Sequence, residues 1–111
     1  MMMAAIDRLL VRSTEPAIII VQADHGPDAE MDPNWRINNT NLSERMSIFN
    51  AYYFNDQDYS TLYEGITPVN TFRVVLNKYF GAGLELLVDR VYFSTWNAPY
   101  SFTDVTAETV D

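Results

Sequence analysis

Apolar and polar positions follow different periods in different stretches of this chain, and the periods predict its elements. Met2, Met3, Ile6, Leu9 and Leu10 recur at helical spacing, with Asp7, Arg8 and Arg12 on the other side, until Ser13-Thr-Glu-Pro16 breaks the pattern. A helix over Met2–Arg12 is expected. After Pro16 the run Ala17-Ile-Ile-Ile-Val21 is apolar at consecutive positions and mostly β-branched, which suits a strand buried on both faces rather than one with a wet side. A helix feeding such a strand points to the α/β class.

Residues 26–43 hold Pro27, Pro33, four asparagines and scattered acids. They read as a long loop, and loops of that length in small domains are usually functional or mobile. Residues 46–54 (MSIFNAYYF) are rich in β-formers and predict a second strand, closed by a turn at Asn55-Asp-Gln-Asp58. Thr67-Pro68 offers an N-cap followed by proline at the first helical position, where its missing N–H costs nothing. The spacing predicts a helix over Pro68–Phe80 with an inward stripe of Val69, Phe72, Leu76, Tyr79 and Phe80, with Arg73, Asn77 and Lys78 toward water, and with Gly81 as its left-handed cap. Residues 91–93 predict a short last strand, and residues 104–111 a frayed acidic tail. No internal repeat, low-complexity block or linker divides the chain.

Composition narrows the function classes. A chain of 111 residues that is 48% hydrophobic and 14% aromatic has room for one domain and one modest core. No apolar run approaches the roughly 18 residues of a membrane span, and Asp7 and Arg8 interrupt the N-terminal segment, so no membrane helix or signal peptide is expected. Fifteen acids against seven bases give a net charge of −8, which makes nucleic acid and anionic lipid poor partners. Without cysteine there is no disulfide framework, thiolate nucleophile or zinc-thiolate site. Any metal must be held by oxygen and imidazole.

The candidate chemistry sits where the apolar run ends, at Asp24-His25-Gly26, with the only histidine of the chain. In open α/β sheets ligands bind beyond the carboxyl ends of strands. A carboxylate beside a neutral imidazole suits zinc or manganese, and glycine permits tight backbone geometry beside an ion. Two ligands do not make a site, and a polar turn after a strand is the other reading of the same three residues. Asp28, Glu30 and Asp32 alternate as calcium ligands do, but Pro33 stands where an EF-hand loop needs glycine, so a solvated acidic loop is expected. Two short glycosylation matches, at Asn38-Asn-Thr40 and Asn41-Leu-Ser43, and the aromatics Tyr52, Tyr53, Phe54, Tyr59 and Tyr63 receive no functional role.

The string Ala17-Ile-Ile-Ile-Val-Gln-Ala-Asp-His-Gly-Pro27, followed by Glu44-Arg-Met-Ser-Ile-Phe-Asn-Ala-Tyr-Tyr53 and Ile66-Thr-Pro-Val-Asn-Thr-Phe-Arg73, resembles the C-terminal part of bacterial sulfatase-like hydrolases and phosphotransferases of the alkaline phosphatase superfamily. The resemblance runs over roughly residues 4–105. It implies a partial alkaline-phosphatase-like sandwich, with residues 1–111 forming the C-terminal segment of a catalytic domain. It makes Asp24 and His25 ligands of a divalent metal (manganese, zinc, magnesium or calcium) in an enzyme acting on phosphate or sulfate esters. Many such proteins are membrane-anchored with an extracytoplasmic catalytic domain, so that location is implied for the parent. The family nucleophile, a threonine, serine or modified cysteine, and a further acidic ligand precede the Asp-His-Gly strand, and only 23 residues precede Asp24 here. A fragment without turnover of its own is therefore expected, and with no second histidine a single-metal arrangement is the better match. Arg36, Arg45 and Arg73 are chemically able to hold a tetrahedral anion. Arg36, on the loop after the pair, is the expected substrate contact. The alternative from another class is a small non-catalytic α/β module that binds a partner through an uncovered apolar surface.

Overall fold

The computed structural model describes residues 1–109. In chain order it contains α1 (Met2–Arg12), β1 (Ile18–Gln22), a 3-10 turn (Ile37–Asn39), α2 (Leu42–Met46), β2 (Asn50–Phe54), α3 (Pro68–Phe80), β3 (Tyr92–Thr95), β4 (Ala98–Asp104) and a second 3-10 turn (Thr106–Glu108). The architecture is mixed α/β, with three helices and two separate two-stranded antiparallel sheets, β1-β2 and β3-β4. No described helix is long and apolar enough to cross a membrane.

The apolar run at residues 17–21 does form a strand, but not one buried on both faces. All five residues of β1 are only half-buried. The strand pairs antiparallel with β2, from Ile18 opposite Phe54 to Gln22 opposite Asn50. Ile18, Ile19 and Ile20 stand opposite Phe54, Tyr53 and Tyr52, so the β-branched run is stabilised by cross-strand pairs with aromatic residues. The predicted strand over residues 46–54 starts only at Asn50, because α2 takes Met46 and Ser47 is its C-cap. Asn41 caps that helix, its side-chain oxygen accepting from the Glu44 N–H at 3.2 Å.

α3 has the bounds its sequence predicts, and Gly81 closes it in the left-handed region at φ 60°. Two details differ. Thr67 makes no side-chain capping bond; its hydroxyl donates to Asp89 at 2.6 Å instead. The apolar stripe faces outward: Val69, Phe72, Leu76 and Phe80 are exposed, while Asn70, Thr71, Val74 and Val75 are buried.

The reversal has a polar cause. The Asn70 amide donates to the Leu87 carbonyl at 2.7 Å and accepts from the Leu87 N–H at 3.0 Å. One helical turn-pair further on, Asn77 grips Leu84 in the same two-point way, at 2.8 and 2.7 Å. Arg73, between them, donates to the Glu85 carbonyl at 3.0 Å. An extended segment is thus laid antiparallel along the helix by side-chain amides standing in for a neighbouring strand. Satisfying the buried Asn70 amide favours this face inward, since an unpaired buried amide costs about 1–3 kcal/mol.

The core is small: Phe54, Val74, Val75, Phe93 and Val105 are the buried apolar residues. Phe54 stacks on Tyr59 with ring centres 5.2 Å apart and meets the Tyr79 ring edgewise at 5.5 Å. Residues 105–109, expected as part of a frayed tail, are anchored by buried Val105, whose N–H donates to the Val91 carbonyl at 2.9 Å; Val110 and Asp111 lie outside the described residues. The chain exposes 8121 Å², where a compact monomer of its mass exposes about 6,200 Å². Its radius of gyration is 16.9 Å against about 13 Å for a compact domain of this length.

Candidate metal-ligand pair at the end of the first strand

β1 stops at Gln22, and the backbone bends at Asp24 and His25. Successive strand residues point to opposite faces, and the bend removes the pair from that alternation. Both side chains reach open surface, Asp24 at 91% exposure and His25 at 46%. The Asp24 Oδ1 and His25 Nε2 atoms are 3.9 Å apart.

Gly26 makes the bend possible through proximity rather than an unusual dihedral. Its N–H donates to the Arg45 carbonyl at 2.8 Å. A Cβ at this position would run into the Glu44 carbonyl oxygen and stand 2.7 Å from that of Arg45 and 2.8 Å from that of Ser47. The loop therefore sits directly on the carbonyl end of α2, a contact open only to glycine.

Arg45, which the sequence offers only as one of three arginines able to hold an anion, has a place at the bend that the sequence did not show. Expected at the start of a strand, it lies on α2 and sends its guanidinium back into the bend, where its side chain is only 14% exposed. Its Nη1 is 2.5 Å from His25 Nδ1, 3.1 Å from the Gly26 carbonyl oxygen and 2.5 Å from Asp28 Oδ1. The only advance signal was the Asn41 cap, which puts residues 42–46 on a helix and aims Arg45 at the bend. Asp28, weighed only as part of an acidic alternation, supplies the counter-charge. His25 Nδ1 also lies 2.6 Å from the Gly26 carbonyl oxygen; in the tautomer that donates its Nδ1 proton to that carbonyl, the Nε2 lone pair is left outward.

The other two arginines are committed elsewhere. Arg36 forks onto Asp32, Nη2 to Oδ2 at 3.1 Å and Nε to Oδ1 at 3.3 Å. Asp32, with its side chain 4% exposed, also accepts from the backbone N–H groups of Asn34 and Arg36 and from the Asn39 amide. The Arg36 guanidinium, with the other donors, overcomes burial and holds this carboxyl well below the usual carboxylate range. Asp32 is thus the hub of the 32–40 loop, its lone pairs filled by the chain itself. No contact joins Arg36 to Asp24 or His25 among the described residues. Arg73 binds the Glu85 carbonyl.

The donor set sets limits. A carboxylate oxygen and an imidazole nitrogen bonded to one tetrahedral ion, each at about 2.1 Å, stand about 3.4 Å apart, so the observed 3.9 Å must close by about 0.5 Å, a rotation open to the exposed Asp24 side chain. Among the described residues, however, no group of three or more histidine, aspartate or glutamate side chains is placed to hold a metal. No protein-family model, curated protein or solved structure matches the chain.

Proposed function

We propose that the chain supplies two metal ligands, Asp24 and His25, to a sulfatase-like hydrolase or phosphotransferase site acting on phosphate or sulfate esters, within a sandwich of the alkaline-phosphatase kind. The observation that supports this reading is the bend, which leaves a carboxylate oxygen and a free imidazole nitrogen 3.9 Å apart on open surface. When bound, a divalent cation (manganese, zinc, magnesium or calcium) supplies Lewis-acid neutralisation of charge on the ester oxygens. Asp24 contributes carboxylate oxygen and His25 its Nε2. The Arg45–Asp28 pair braces the turn from behind, and Gly26 lets the turn seat on α2. Among the described residues no third histidine, aspartate or glutamate joins the pair, so the two ligands do not complete a metal site by themselves.

Manganese titration of the ¹⁵N-labelled chain tests the pair, because a single histidine gives a single imidazole signal. Paramagnetic broadening is expected first at His25 and Asp24, at millimolar metal, and is lost in Asp24→Ala. Broadening that spreads over the acidic surface without preference, or that survives Asp24→Ala unchanged, removes the shared site. The isolated chain is expected to show no turnover of aryl phosphates or sulfates above background. Chelator-sensitive turnover would contradict the incomplete-site reading.

A second reading, a non-catalytic module acting through apolar surface, is favoured by a different observation. The outward stripe of α3 runs beside exposed Leu84, Leu86, Leu87 and Val88, and α1 buries none of its residues.

A further inference from the structure

Away from the bend, the 32–40 loop and the β3-β4 hairpin enclose an open cavity of 580 Å³ lined by Asn34, Trp35, Arg36, Asn38, Thr95 and Asn97. We propose that this cavity is a saccharide-binding site. Three independent features point there. The first is aromatic: Trp35 lies against Trp96 with ring centres 6.2 Å apart, and Trp96 is 78% exposed. Trp35 is half-buried and lines the cavity, so its indole is the platform for the C–H face of a sugar ring, with Trp96 packed against it from the hairpin.

The second is the polar lining. The exposed side-chain amides of Asn34, Asn38 and Asn97 make no hydrogen bond among the described residues. Each offers two donors and an acceptor, the pairing that vicinal hydroxyls require. Arg36 is the one charged lining residue, and Asp32 already balances it. The cavity therefore favours an uncharged, hydroxyl-rich ligand, and its volume lies within the roughly 300–1,000 Å³ of small-molecule sites.

The third is strain. Trp35 has φ 60°, a left-handed conformation that a bulky residue adopts only when its surroundings enforce it. The enforcement is visible: Asp32 accepts from Asn34 and Arg36 on either side of Trp35, and the Trp35 N–H donates to the Asp32 carbonyl at 2.8 Å. The loop is built to present this one indole. None of this depends on the metal pair, since neither Asp24 nor His25 lines the cavity.

The test uses the chain's own fluorescence, because one of its two tryptophans lines the cavity and the other packs against it. The intact protein is titrated with maltohexaose, cellohexaose and N-acetylchitohexaose up to about 10 mM, a range that covers millimolar dissociation constants. At least one is expected to shift the emission saturably, with amide shifts confined to residues 34–39 and 95–97. Asn38→Ala is expected to weaken binding at least about fivefold, the loss of one good hydrogen bond, with the thermal midpoint unchanged. Trp35→Gly relieves the backbone while deleting the platform, so it is expected to abolish the response of Trp96 with the circular dichroism preserved. Binding that is indifferent to Asn38→Ala overturns the proposal. So does the absence of both emission change and amide shifts with all three oligosaccharides.

Discussion

At the scale of single residues, the contacts that matter most at the bend are made by a residue with no side chain. Gly26→Ala forces a methyl group into three backbone carbonyls at the end of α2, and backbone cannot step aside as a flexible side chain can. The variant is expected to lose about 2 kcal/mol or more and to displace Arg45 from His25, which chemical denaturation and the His25 ring shifts would detect. Gly81→Ala meets nothing within 4 Å and suffers only from its positive φ, so it is expected to cost about 1 kcal/mol. An equal cost for the two would mean that the close approach at Gly26 is not what holds the loop. The sequence showed that Asp24, His25 and Gly26 belong together. It did not show Arg45, because that contact depends on a five-residue helix whose only signature is one capping asparagine, and β-forming residues follow it immediately.

At the scale of the element, α3 separates what periodicity tells from what it does not. Its bounds were legible because threonine, proline and glycine each fix a backbone position whatever lies outside the helix. Its orientation was not, since an apolar stripe reports only that one face is apolar. Here Asn70 and Asn77, two turns apart, turn the opposite face inward by binding the backbone of Leu87 and Leu84. The two faces make opposite predictions. Phe72→Ala, at a ring 53% exposed, is expected to change stability by less than about 1 kcal/mol. Val74→Ala is expected to cost about 2 kcal/mol from lost burial and a cavity. Asn70→Ala is expected to cost about 2–3 kcal/mol, because it strands both polar groups of Leu87. Urea denaturation of the three variants checks the order, and a Phe72→Ala loss larger than that of Asn70→Ala would place the stripe in a core after all. β4 was illegible for a related reason: all seven of its residues are exposed, so no alternation with a buried face existed to be read.

At the scale of the whole molecule, the surface of 8121 Å² is about 1,900 Å² larger than a compact chain of this mass requires, and charge is unevenly spread over the chain. Residues 66–88 carry Arg73, Lys78 and Glu85, a net +1, which leaves −9 for the rest of a chain of total −8. The acidic remainder is organised into local clamps. Lys78, its side chain 9% exposed, binds Asp58 at 2.7 Å and Asp56 at 3.1 Å. Asp89 accepts from Thr67 and Tyr63, and Asp104 from Thr106 and Arg90. Their effect on acid stability has a definite sign. Hydrogen bonding from Lys78 holds the Asp58 carboxyl well below its usual range, as Arg36 does for Asp32. Asp56 and Asp89 are pushed up by burial but brought down further by their donors, and Asp104 is lowered by Thr106. A carboxyl whose folded value lies below its unfolded value of about 3.9 binds its proton more readily once unfolded. Its stabilisation is therefore complete above about pH 4 and is lost as the pH falls through the lowered folded value. Folding stability is accordingly expected to hold from pH 7 to about 5 and to drop steeply below 4, as urea midpoints measured across that range would show. Asp32→Asn, which keeps the shape of the hub but removes its ionisation, is expected to lower stability at pH 7 and flatten the drop below pH 4. If the wild-type and Asp32→Asn curves stay parallel down to pH 2.5, ionised Asp32 is not what holds the 32–40 loop. The loop that presents Trp35 would then owe its shape to neutral hydrogen bonds alone.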